Sequence, residues 1–151
     1  RIFIIGQGIS APLAHLFSAS LRWLGLPAES PLADAPGLAM ILAGVDEQCA
    51  VIAVCATAES WEIANALRYA REKGARTLAL TCSPIDPCAQ VAELALSCPP
   101  DDLFVLPPVG VIATFLDAIV QTLGARDAEG VRSRAEKLVA ARESVLPWSN
   151  R

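Results

Sequence analysis

Three apolar runs in this chain fail to alternate with polar residues, and that failure narrows the possible folds more than anything else. They are "IFII" (2–5), the middle of "CAVIAVC" (49–55) and the middle of "RTLALTC" (76–82). Successive strand residues point to opposite faces, so a strand apolar at consecutive positions must be covered on both sides. Between the runs the period changes. Leu13, Leu16, Phe17, Leu21 and Leu24 recur at helical spacing, as do Ile63, Ala66, Leu67 and Ala70. Strands buried on both faces and alternating with helices define an α/β fold with a parallel sheet. The expected architecture is a three-layer αβα sandwich around a flavodoxin-like, doubly wound sheet of about five strands.

Local signals place the boundaries. The first helix opens with Ser10 as N-cap, tolerates Pro12 in its first turn and stops at Gly25-Leu26-Pro27. Asp34 or Pro36 opens a shorter helix over 34–44, and Gly74 closes a helix over 60–73. A turn and short helix follow over 83–94, then a strand at 95–98. Helices over 111–124 and 127–145 end the pattern, the last with Val131, Ala135, Leu138, Val139 and Val145 on one side. With no repeat and no linker, residues 1–151 read as one domain, a core over about 1–124 with the C-terminal helix added.

Composition decides what such a domain does not do. Hydrophobic residues make up 54% and charged residues 19%, more apolar than a usual globular chain. A sheet covered on both faces uses part of that excess. The rest suits a surface for self-association as a homo-oligomer, dimer or tetramer. A net charge of −4 gives no basic field for a phosphodiester backbone, so this segment itself is expected to bind no nucleic acid. The long uncharged stretch over 2–21 is broken by Gly6, Gln7, Gly8, Ser10, Pro12 and His15, which argues against a signal peptide or membrane span and for a cytoplasmic protein. Five cysteines (49, 55, 82, 88 and 98) and a single histidine show no metal-ligand spacing, so no metal and no cofactor are expected.

Ligands of doubly wound sheets bind at the carboxyl ends of the strands. Two unusual loops lie there. "GQGIS" (6–10) has glycines that let backbone approach a ligand, and a helix N-terminus with free N–H groups for an anion. It also reads as a plain turn, or as a dinucleotide fingerprint with Ala11 at the third glycine and Glu29 as the acidic residue. In the second loop Thr57 and Ser60 bracket a helix start, where hydroxyls and backbone amides over 58–61 make a cradle for a phosphate monoester. A cap at Ser60 and a tight turn over 57–59 explain the same residues. Cys55 precedes this helix N-terminus, a setting that favours a thiolate.

These motifs resemble the SIS (sugar isomerase) domain family, which carries G-x-G-x-S after the first strand and Ser-x-Ser-Gly-x-Thr after a later one. Here the first reads Gly6-Gln7-Gly8-Ile9-Ser10 and the second Cys55-Ala56-Thr57-Ala58-Glu59-Ser60. "GARTLALTCSPIDPCAQVAELAL" (74–96) is similar to a further stretch of the family, and the likeness runs over residues 1 to about 124. The resemblance implies a phosphorylated sugar or sugar derivative as ligand, its phosphate held by Ser10, Thr57 and Ser60, with Gly6 and Gly8 lining the approach. Cys55 stands where the family has a serine, and Ala58 where it has a glycine. Both departures reshape the cradle.

Two kinds of SIS protein fit. An aldose–ketose isomerase needs a base, for which Glu59, Glu62 and His15 are the candidates. Several isomerases of the family use a histidine late in the chain, and none follows His15 here. The tail "FLDAIVQTLGARDAEGVRSRAEKLVAAR" resembles instead the last helices of RpiR-type transcriptional regulators, whose SIS domain senses a phosphosugar. In those regulators a helix-turn-helix domain precedes the SIS domain. A chain opening at Arg1 directly on a strand suits that arrangement, with DNA bound through the upstream domain.

Overall fold

The computed structural model describes residues 1–31, 33–57, 61–98 and 109–145. Strands β1 (Ile2–Ile5), β2 (Ala28–Glu29), β3 (Ala50–Cys55), β4 (Arg76–Thr81) and β5 (Leu94–Ser97) form one sheet. Helices α1 (Ser10–Trp23), α2 (Ala35–Leu42), α3 (Trp61–Glu72), α4 (Pro87–Val91), α5 (Val109–Arg126) and α6 (Ala128–Val145) connect and follow the strands. Every strand pairing is parallel, in the order β2-β1-β3-β4-β5. The doubly wound sandwich expected from the unalternated runs is therefore the fold.

Strand parity divides the core in two. Phe3, Ile5, Val51, Ala53, Cys55 and Ala79 face one layer, where α2 supplies Leu38 and Ile41 and α3 supplies Ile63, Ala64, Leu67 and Ala70. Ile4, Val54, Ala56 and Leu80 face the other, under Leu13, Ala14, Phe17 and Leu21 of α1 and Ile112 and Leu116 of α5. Each large side chain fully buried here contributes roughly 1.5–3 kcal/mol. Alanines of α3 (Ala64, Ala66 and Ala70) and of β3 and β4 (Ala53 and Ala79) share this buried layer.

The sequence pattern misses β2. It is two residues long, pairs with β1 through Ile2 and Phe3, and offers no apolar run to see. Gly25 and Gly74 end their helices in the left-handed region (φ 80° and 86°), as their positions require. Asp34 caps α2 by accepting the Gly37 N–H at 2.8 Å.

Two results differ from expectation. Ser10 does not cap α1; the N-cap is Ile9, without a side-chain hydrogen bond, because the Ser10 hydroxyl is engaged elsewhere. The last helix, α6, has no buried residue, and its apolar side stays largely uncovered. By length and composition alone α5 could cross a membrane, with a mean hydropathy of 1.3. Here it packs on α1, burying Ile112 and Leu116.

Candidate functional site

In the order β2-β1-β3-β4-β5 the direction of winding reverses between β1 and β3. The loops leaving those strands part to opposite faces, and the crevice between them is where doubly wound sheets bind ligands. The loops leaving β1 and β3 are the two that the sequence singles out.

The β1 loop is determined by its backbone. A Cβ on Gly6 would lie 2.9 Å from the Ser10 carbonyl oxygen and 3.1 Å from that of Val54, so no side chain fits without moving backbone. Gly8 adopts φ +54° with no non-neighbouring described atom within 4 Å of where a Cβ would stand, a conformation rather than a clearance requirement among the described residues. The Gln7 amide donates to the Ala33 carbonyl at 2.8 Å and anchors the loop to the connection between β2 and α2. The N–H groups of Ser10 and Ala11 are not free for an anion, since they donate to the Gln7 and Gly8 carbonyls at 2.9 and 3.2 Å. A tight turn into the helix consumes what the sequence suggested was available.

Ser10 is buried, and its Oγ accepts the Ala56 N–H at 2.9 Å. That bond joins the two loops across the crevice. The Ala56 carbonyl in turn accepts from the Cys82 thiol at 3.4 Å, and the Cys82 N–H donates to the Cys55 carbonyl at 3.2 Å. Both ends of the Ala56 peptide are thus held just before the loop departs. Thr57, the next residue, is half-buried. Ala58, Glu59 and Ser60, and with them part of the expected cradle, lie outside the described residues.

Cys55 sits differently from the expectation of a reactive thiol facing the ligand. It is in phase with Val51 and Ala53, so its side chain enters the α2–α3–α4 layer, where it is buried. Its thiol is pushed far up, first by a hydrogen bond with Cys88, then by burial and by the nearby Cys88, Asp86 and Cys82. A thiolate is therefore disfavoured, and the pull of the following helix does not overcome that. Burial, then Cys98 and Asp86, also raise Cys82. Of the candidate bases, His15 and Glu62 are exposed. His15 lies off the face of α1 that carries Leu13, Ala14 and Phe17 to the sheet.

Cys82 and Asp86 are the residues that sequence reasoning overlooked. Cys82 directly follows β4, whose last residue Thr81 pairs with Cys55, a position visible only once β3 and β4 are paired in register. Asp86 is buried and accepts the Cys88 N–H at 2.8 Å. A cavity of about 510 Å³ lies away from the crevice, between β2 and α2, lined by Phe3, Glu29, Asp34, Met40 and Ile41 among others. It carries no hydroxyl cradle. The topology and the clamped peptide, rather than cavity size, mark the site.

Comparison with known proteins agrees with this fold. The sugar isomerase domain of an RpiR transcription factor from Sphaerobacter thermophilus superposes with a TM-score of 0.81 at 25% identity, over 92% of this chain and 78% of that one. The NanR protein of Vibrio vulnificus, solved in complex with ManNAc-6P, superposes with a TM-score of 0.79 at 21% identity, over 97% and 56%. An N-acetylmuramic acid 6-phosphate etherase from Pectobacterium atrosepticum is 45% identical over 47 residues, 31% of this chain but only 16% of the enzyme. The SIS domain pattern matches residues 1–128. The chain belongs to the SIS domain family.

Proposed function

We propose that this chain is the phosphosugar-sensing and self-associating domain of a cytoplasmic RpiR-type transcriptional regulator, with residues 1–151 as one domain. The observation that carries the reading is the Ser10–Ala56 hydrogen bond at the point where the sheet reverses. It fixes the two loops against each other, so that a phosphate entering between them meets a prearranged backbone. Preorganisation of this kind lowers the ordering cost of binding. In this reading Ser10 and Cys82 shape the cradle, Gly6 and Gly8 let the ligand approach, and Thr57 and Ser60 hold the phosphate. Cys55 acts through the backbone, its side chain being turned into the core.

The likeness to the RpiR sugar isomerase domain supports the regulator reading, as does the exposure of His15 and Glu62, which leaves no base embedded beside the crevice among the described residues. In the regulator, DNA is bound through a helix-turn-helix domain upstream of this one. Self-association is supported by apolar side chains left in solvent on α1 and α6, including Leu16 (54% exposed), Trp23 (62%) and Val139 (57%). The second reading is a phosphosugar enzyme, an isomerase with Glu59, Glu62 or His15 as base. The likeness to an etherase over 47 residues favours it, since that relative is an enzyme.

One experiment separates the two. Calorimetric titration with a panel of hexose and N-acetylhexosamine 6-phosphates should give saturable binding, and the same compounds should be recovered unchanged. Turnover above ~1 s⁻¹, the low end of ordinary enzymes, establishes the enzyme instead. Light scattering at tens of micromolar should give a dimer or tetramer; a monomer removes the self-association.

A further inference from the structure

Behind the β3 loop, on the side away from the crevice, three donor groups converge. Cys55 ends β3, Asp86 precedes α4, and Cys88 lies in the first turn of α4. The two sulfurs and a carboxylate oxygen all lie within 4.8 Å of one another, and all three residues are buried. We propose that Cys55, Asp86 and Cys88 form a binding site for a thiophilic divalent cation, with zinc as its ordinary occupant.

The chemistry of the donors carries this. Zinc binds thiolate sulfur at about 2.3 Å and carboxylate oxygen at about 2.0–2.2 Å, so donors around one ion stand about 3.3–3.8 Å apart in a tetrahedron. Side chains already within 4.8 Å reach that geometry by drawing in by about 1.5 Å or less. Three protein donors are the number used by zinc sites that keep one exchangeable position. Softness matters as well: two sulfurs select zinc or a softer ion over magnesium or calcium. Asp86 is already oriented, because its Oδ1 accepts the Cys88 N–H at 2.8 Å.

Without an ion, the hydrogen bond with Cys88, burial and the neighbouring groups keep the Cys55 thiol protonated. A dication reverses that preference and deprotonates the thiols it binds. Each coordinated thiol gives its proton to solvent, and two thiolates with one carboxylate leave the occupied site with a single negative charge. The ion would tie the end of β3 to α4 directly beneath Ala56, whose N–H and carbonyl are already held by Ser10 and Cys82. No sequence motif announces such a site, because one ligand comes from the end of β3 and the other two from the start of α4, far apart in the chain.

The site is independent of the phosphosugar reading and is tested without any sugar. The full chain, purified under reducing conditions, is incubated with zinc, desalted and analysed for bound metal. A second sample is titrated with cobalt(II), whose thiolate complexes absorb by charge transfer. About one equivalent of zinc per chain is expected, together with a cobalt–thiolate band and a melting temperature raised by zinc and lowered again by chelator. A Cys49→Ala/Cys82→Ala/Cys98→Ala variant, which keeps only Cys55 and Cys88, should retain the band. Cys55→Ala and Cys88→Ala should each abolish it. Asp86→Asn, which keeps an oxygen for the Cys88 N–H, should weaken zinc uptake while leaving the circular dichroism unchanged. Failure of folded wild-type protein to take up zinc overturns the proposal, as does uptake that survives loss of both Cys55 and Cys88. A Cys55–Cys88 disulfide that persists in the reduced preparation overturns it too. Should the alanine variants not fold, the cobalt spectra of the wild type and the triple variant decide.

Discussion

The loops after β1 and β3 meet at one hydrogen bond but are built on opposite plans. In the first, glycine and backbone settle most of the path, with one side-chain anchor from Gln7: Gly6 has no room for a Cβ, Gly8 sits at positive φ, and the N–H groups of Ser10 and Ala11 are used by the turn itself. The second is held from outside, with Ala56 pinned by Ser10 on one side and Cys82 on the other. The comparison teaches a division of labour. The glycine-rich loop is a framework whose one serine hydroxyl accepts the Ala56 N–H of its neighbour, and in the proposed function the β3 loop is the one that offers hydroxyls to a ligand.

Substitutions test that division, and their effects on stability should fall in a definite order. Gly6→Ala should be the most damaging, since its Cβ meets two backbone carbonyls that cannot swing aside. A loss of about 2–3 kcal/mol in urea unfolding is expected, toward the upper end for overpacking. A midpoint equal to that of the parent would show that the loop is not tightly determined. Ser10→Ala comes next. It leaves the Ala56 N–H buried without its acceptor, which costs about 1–3 kcal/mol and should weaken sugar binding as well. If stability falls while affinity does not, the bond is architecture only, and the two loops do not act as one site.

Gly8→Ala should cost less, about 1 kcal/mol, because the left-handed backbone opposes it and no other described residue beyond its chain neighbours lies within 4 Å of the added Cβ. Asparagine tolerates that conformation better, so Gly8→Asn should recover part of the loss; no recovery would place the cause elsewhere. Smallest of all should be Thr57→Ala, within about 0.5 kcal/mol of the parent in stability. A much larger loss would make Thr57 part of the framework and erase the contrast between the loops.

How much of this the sequence shows depends on the range of the interaction. The buried strands are legible because period-two alternation is missing in "IFII" and "CAVIAVC", and helix ends are legible at Gly25, Asp34 and Gly74 because caps are local. β2 is not legible, because two residues at an edge carry no period. The position of both loops at the carboxyl ends of their strands follows from the alternation of elements. Their junction does not, because the Ser10 hydroxyl finds its partner 46 residues away rather than in its own helix. Cys55 is instructive in another way. Its parity with Val51 and Ala53 is present in the sequence, but which layer that parity faces, and that Cys88 and Asp86 wait there, depends on the packing of α4.

The central claim is that the crevice between these loops binds a phosphate carried on a sugar, with Thr57 as a direct ligand. The most direct measurement is calorimetric titration of the parent and of Thr57→Ala with a sugar 6-phosphate taken from the panel, alongside the same sugar without its phosphate. Binding of the phosphorylated compound alone is predicted. Thr57→Ala should weaken it roughly 10- to 150-fold, the equivalent of a hydrogen bond to a charged group of ~1.5–3 kcal/mol, with an unchanged unfolding midpoint. Equal affinity for the two sugars, or a Thr57→Ala affinity within about twofold of the parent, would contradict the account.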